Sequence, residues 1–327
     1  MQQATATPNY GRRILWLGVG IVVAIVLYTI GWFWLADRLE REASAALDAL
    51  GDRGIEARCE NPKARGYPFR LGLFCDSVQF DQPSEQVSVS AGAFRSTGQI
   101  YNPSKLVAEL DGPAQVSLPG AGPVALDWAV LRASTRLAQP LPERVSLQGK
   151  ALKVAPAGGD PVVSAETFEA HMRPNDADLD VAVRFAGLTV APEVVKGRKV
   201  PTLSGEADVS VTDGVQLLDD GVHGLRGKAG RVRDMTLTIG EAGSLKVTGP
   251  ISVDDDGLID ADLEVSIREP KALARALAEA FPEVRREIEQ GSAGLSFLGK
   301  NPKLPLKIVK SSATLGFIPL GRIPPLD

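Results

Sequence analysis

The chain has 327 residues, a formal net charge of -4 and no strongly basic half. It therefore lacks the concentrated cationic face that phosphate binding needs, which excludes a nucleic-acid partner. Its 33 glycines and 23 prolines against 6% aromatic residues suit many short strands and turns better than a helical bundle.

Ile14 to Ala36 is a charge-free run. At about 1.5 Å rise per residue, its roughly 23 residues cross a hydrocarbon core about 30 Å thick. Trp16 lies near one end and Trp32 and Trp34 near the other, as interfacial belts do. Arg12 and Arg13 precede the run without an acid, whereas Asp37, Glu40 and Glu42 mix with Arg38 and Arg41 after it. The positive-inside rule makes residues 1–13 a cytoplasmic N-terminus and residues 14–36 a single-pass anchor in the inner (cytoplasmic) membrane. A cleaved signal peptide ending near Ala43-Ser44-Ala45 is the alternative; retention is favoured, because the apolar region exceeds the usual length of a signal peptide. Residues 37–54 read as a stalk helix with Leu39, Ala43, Ala46, Leu47 and Leu50 on one face. Residues 55–327 then form a periplasmic β-rich domain.

The two cysteines, Cys59 and Cys75, both follow the anchor. An even count in an exported segment predicts a disulfide, with two free thiols as the alternative. A zinc site finds too few ligands, since the two histidines, His171 and His223, lie far along the chain.

From Ile55 the apolar period shifts to two. Val78 and Phe80, then Val87, Val89 and Ala91, then Ala93 to Tyr101 open a series of strands. It continues at Leu106–Leu110, Ala114–Leu118, Val124–Ser134, Arg144–Val154, Val162–Met172, Leu179–Phe185, Gly205–Val211, Met235–Ile239, Ser244–Val253 and Leu258–Ile267. Leu263, Val265 and Ile267 alternate with Glu264, Ser266 and Arg268, so one face is apolar and the other wet. Asp254-Asp255-Asp256-Gly257 reads as a hairpin turn rather than a calcium loop, because it lacks the distal glutamate and the alternating ligands. Pro270 to Gln290, with Leu273, Leu277, Phe281, Val284 and Ile288, is an amphipathic helix broken near Pro282. Gly291–Gly299 reads as a loop, Leu304–Phe317 as a strand, and Ile318–Asp327 as an extended tail capping the domain. The fold class is mainly β: an N-terminal transmembrane helix, then a long antiparallel curved meander, groove or sandwich, with a few amphipathic helices.

Gly66-Tyr67-Pro68-Phe69-Arg70-Leu71, Phe74-Cys75-Asp76, Gln99-Ile100-Tyr101-Asn102-Pro103, Ala108-Glu109-Leu110 and the closing Leu315 to Arg322 segment resemble the domain of unknown function 2125 family, single-span envelope proteins of alphaproteobacteria. That resemblance implies a compartment and no activity. A looser similarity, carried by Ser244–Ile267, the helix after Pro270 and Gly299 to Leu306, is to AsmA-like envelope proteins. Those are associated with outer-membrane biogenesis and, in larger members, with lipid movement along an apolar groove.

Neither His171 nor His223 sits in a nucleophile or metal-ligand motif, so no catalytic residue, metal or cofactor is expected. Tyr67 and Phe69, beside the cysteines, and Leu273, Leu277 and Phe281 on the amphipathic helix are the candidate ligand or packing contacts. The expected function is non-catalytic binding or handling of lipid or glycolipid in an apolar groove; the alternative is an assembly factor docking an unidentified envelope protein.

Overall fold

The computed structural model describes residues 10–52, 54–120, 122–139, 141–219, 224–296, 299, 301–316 and 318–326. Helix α1 (Tyr10–Gly51) runs unbroken from the apolar run into the charged segment. It is long and apolar enough to cross a membrane. Exposed i,i+4 pairs such as Asp37–Arg41, 2.9 Å apart, steady its polar half by a few tenths of a kcal/mol each. It stops at Gly51, and Gly54 takes the left-handed φ of +76° that turns the chain into the sheet.

The strands are β1 (Glu56–Cys59), β2 (Lys63–Arg65), β3 (Arg70–Cys75), β4 (Val78–Gln82), β5 (Val87–Ala91), β6 (Phe94–Gln99), β7 (Asn102–Leu110), β8 (Ala114–Ser117), β9 (Val124–Asp127) and β10 (Val130–Arg136). Longer ones follow: β11 (Arg144–Pro156), β12 (Val163–Asn175), β13 (Asp178–Val190), β14 (Leu203–Val211), β15 (Ala229–Ile239), β16 (Gly243–Val253) and β17 (Ile259–Arg268). After helices α3 (Pro270–Ala280) and α4 (Arg285–Ser296) come β18 (Lys303–Val309), β19 (Ser312–Leu315) and β20 (Ile318–Arg322); a short helix α2 (Gly214–Asp219) lies between β14 and β15.

From β10 to β20 each strand pairs antiparallel with its neighbours in sequence. The first strands obey the same rule once β3–β4, β5–β6, β7–β8 and β9–β10 are seen as long strands broken at one level. The outer halves pair β1–β4–β5–β8–β9 and the inner halves β2–β3–β6–β7–β10, and both halves rejoin on β11. A crease therefore crosses the sheet through Asp76–Ser77, Gly92–Ala93, Asp111–Pro113 and Trp128–Ala129 to Ala151, whose φ is +52°. Backbone bonds continue over it: Asp76 N to Glu60 O at 2.8 Å, Asp111 N to Ala93 O at 2.9 Å and Ala129 N to Lys150 O at 2.9 Å. Small residues make the bend possible: a Cβ on Gly92 would meet Asp111 O at 3.0 Å. Trp128 locks it by donating Nε1–H to Leu110 O at 2.7 Å. Such irregularities sharpen twist and bend.

Several expectations are corrected. Val124–Ser134 is two strands parted by the crease, and Leu304–Phe317 is a hairpin whose turn is Lys310–Ser311, with Phe317 outside the described residues. Ile318–Arg322 is a strand rather than plain tail, paired to β19. Most of Gly291–Gly299 is not loop, because α4 continues to Ser296. Between Ile55 and Val78, where the sequence reading named no individual strand, short strands β1 to β3 lie around the disulfide.

The sheet is open. Its first edge is covered by α1, where Glu40 Oε1 accepts the Ala64 amide of β2 at 2.7 Å. Its buried apolar clusters lie toward the C-terminal end. Ile239, Val265 and Ile267 gather under Leu273 of α3, and Val253, Ile259, Ile308 and Ala313 form a second group. Ala274, Ala278 and Ala280, all small and buried, let α3 lie close on the sheet.

Candidate functional site

The two sheet faces differ. One carries cross-strand ion pairs: Arg184 with Glu206 at 3.1 Å, Arg233 with Asp180 at 2.6 Å, Arg173 with Asp180 at 3.1 Å, Lys303 with Glu264 at 2.8 Å. Asp180 is buried among them, and hydrogen bonds from Arg233, then Ser210 and Arg173, hold its carboxyl below the usual range against the opposing effect of burial.

The other face is apolar. Val145 stands opposite Met172, Val181 opposite Met172 and Val209, and Val183 opposite Ala170 and Ala207. At its centre Gly149, Phe168, Phe185 and Gly205 follow one another on four adjacent strands, β11 to β14. The Phe185 ring lies over Gly205, where a Cβ would come within 2.5 Å of it. The same row runs on through Leu237, Leu245 and Ile267 into the cluster beneath α3. Away from α3, helix α2 packs over Leu179, where a Cβ on Gly214 would come within 2.5 Å of the Leu179 side chain. Among the described residues, Leu179 is the one buried hydrophobic side chain between Ala114 and Val232; Phe168, Phe185, Val181 and Val183 are half-buried. This apolar strip, with two phenylalanines at its centre and α3 over one end, is the candidate site, called the trough below.

At the strand ends Arg136 is registered between Lys105 and Arg144, and with Arg173 these cations line a cleft of about 450 Å³. Glu143 meets Arg136 at 3.0 Å. Like charges set directly opposite one another destabilise a sheet unless an anion intervenes.

The structure distributes the predicted residues. Cys59 and Cys75 form a disulfide at the crease, with Cα atoms 5.3 Å apart. Tyr67 and Phe69 lie in the β2–β3 turn, where Tyr67 packs on Trp32 and Phe33 of α1 rather than against the disulfide. Leu273 and Leu277 face the apolar cluster, whereas Phe281 sits under the Arg198 guanidinium, 5.3 Å from ring centre to Cζ. His223 lies outside the described residues. His171 Nδ1 is 2.9 Å from Ser146 Oγ, and its Nε2 is 3.8 Å from Glu169 Oε2, too far for the hydrogen bond that orients a catalytic base. Sequence reading missed Phe168 and Phe185 as a pair. The available signal was two aromatic residues in the apolar phase of successive strands.

A family model described as "Uncharacterized protein conserved in bacteria (DUF2125)" matches residues 32–324. The chain belongs to the DUF2125 family. No curated protein matches it. The DUF2125 match begins at Trp32, inside α1, so it takes in both the helix end that touches the sheet and the whole trough.

Proposed function

We propose that this DUF2125 protein is a non-catalytic envelope protein, held in the inner membrane by residues 14–36 with its domain in the periplasm, that binds the acyl chains of a lipid or glycolipid in the trough. The observation that carries this reading is the apolar floor of β11–β14, whose Phe168, Val181, Val183 and Phe185 are only half-buried. Exposed apolar surface costs roughly 25 cal/mol per Å², and a chain-like apolar ligand laid along Phe168 and Phe185 removes that cost. Arg12 and Arg13 before the span support the orientation, and the disulfide supports an oxidising compartment. The cationic row at the strand ends shares the face of Arg173 and Asp180, opposite the floor, so the reading rests on the acyl chains alone. The AsmA-like resemblance belongs to this reading.

A photo-crosslinking amino acid placed at Val183, on the trough floor, tests it against one placed at Arg184, on the ionic face. Lipid-mass adducts at 183 and not at 184 are expected; equal labelling would overturn the groove.

A second reading has its own observation. β20 is an edge strand with Ile318 and Leu320 exposed, a template for pairing with a strand of another envelope protein.

A further inference from the structure

The β2–β3 turn does not hang free of α1. Tyr67 stacks on Phe33, with centroids 6.0 Å apart, and meets Trp32 edge-on at 5.5 Å. Thr29 donates to the Ile25 carbonyl, so the Tyr67 hydroxyl, 2.8 Å away, donates to Thr29. Thr29 is seven residues before the end of the apolar run at Ala36, a depth of about 10 Å along the helix. Trp32 and Ala36, both in that run, are buried by the domain while most of the run is exposed.

Irregular backbone is tolerated in hydrocarbon only where its polar groups are satisfied by protein. This turn meets that condition at four carbonyls, those of Gly66, Pro68, Phe69 and Arg70. Gly66 O accepts from Arg70 N at 2.9 Å, Phe69 O from Ile100 N at 3.1 Å and Arg70 O from Trp32 Nε1 at 3.0 Å, while Pro68 O accepts the Tyr28 hydroxyl. Pro68 has no N–H to satisfy. Meanwhile Phe69 is 66% exposed and Tyr101, at the adjoining β6–β7 tip, 74% exposed. Two exposed aromatic residues continue the exposed apolar surface of the helix. An outward Arg70 beside them is placed to reach phosphates while its stem stays apolar.

The geometry points to a membrane-docking corner: the β2–β3 and β6–β7 tips, led by Phe69 and Tyr101, are immersed in the lipids of the leaflet on the domain's side. The partner is the bilayer itself. This rests on α1 spanning the membrane and not on lipid lying in the trough. The domain then stands on the membrane at a fixed angle instead of swinging on a stalk, with the inner ends of the strands toward the lipid.

Full-length protein in nanodiscs of phosphatidylcholine and phosphatidylglycerol, its disulfide intact, would carry one spin label at Phe69→Cys, Tyr101→Cys, Val22→Cys within the span, or Ser84→Cys in the β4–β5 turn at the other end of these strands. Labels at 69, 101 and 22 are expected to favour collision with oxygen over a water-soluble nickel chelate several-fold, and the label at 84 the reverse. Water-like values at 69 and 101 with a lipid-like value at 22 would overturn the docking corner alone. A water-like value at 22 as well would overturn the anchor and this inference with it.

Discussion

Asp180 is the residue on which the ionic face turns, because Arg173, Arg233 and Ser210, from three different strands, converge on it. Its pKa is depressed in the folded state from an ordinary 3.8. It therefore contributes stability that is fully present above pH 4 and is lost as the pH falls through the lowered value. Asp180→Asn is expected to cost about 1–3 kcal/mol at neutral pH and to flatten the acid limb of the stability curve below pH 4, read by urea denaturation across pH. An unchanged acid limb would contradict the assignment. Cys59 and Cys75 close a loop with a sequence separation of 16. Cys75→Ser should lower stability by about 3 kcal/mol, and reducing agent should do the same to the wild type but not to the variant.

At the scale of elements, α3 is the plug. Leu273 is buried against Ile239, Val265 and Ile267, so Leu273→Asp should cost about 3–5 kcal/mol locally and speed amide exchange in α3 and β15–β17 while leaving β3–β7 protected. Uniform loss of protection would show instead that α3 and the N-terminal strands share one cooperative unit. The elements also show what a sequence reveals and what it hides. The span, the alternation of β11–β17 and the break at Pro282 were legible because each is written in local periodicity. The hairpin at Lys310–Ser311 was not: it turns through two left-handed residues, φ +47° and +64°, with neither glycine nor proline, supported by Ser311 Oγ accepting the Ile259 amide at 3.0 Å. Gly291 and Gly294 suggested a loop, yet both sit in α4 facing open space, where a glycine costs about 1 kcal/mol without breaking the helix. The crease escaped notice because it is a property of register across neighbouring strands. The Gly149-Phe168-Phe185-Gly205 row, spread over 57 positions of sequence from 149 to 205, escaped for the same reason.

Across the whole molecule, a meander in which neighbours in sequence are neighbours in space gives a long sheet with one apolar and one ionic face. Its curvature comes from the crease and its end stop from α3. α1 covers the first edge and fixes the sheet beside the apolar span. The trough floor over β11–β14 is only half-buried, and the functional account rests on its being filled by lipid. The most direct test is native mass spectrometry of the full-length protein released from gentle detergent, with Phe168→Asp alongside. The account predicts a mass increment of one or a few lipids on the wild type that survives activation sufficient to strip the detergent, and its loss in Phe168→Asp at an unchanged melting temperature to within a few degrees. A bare wild-type mass, or an increment unaffected by the charge on the trough floor, would contradict it.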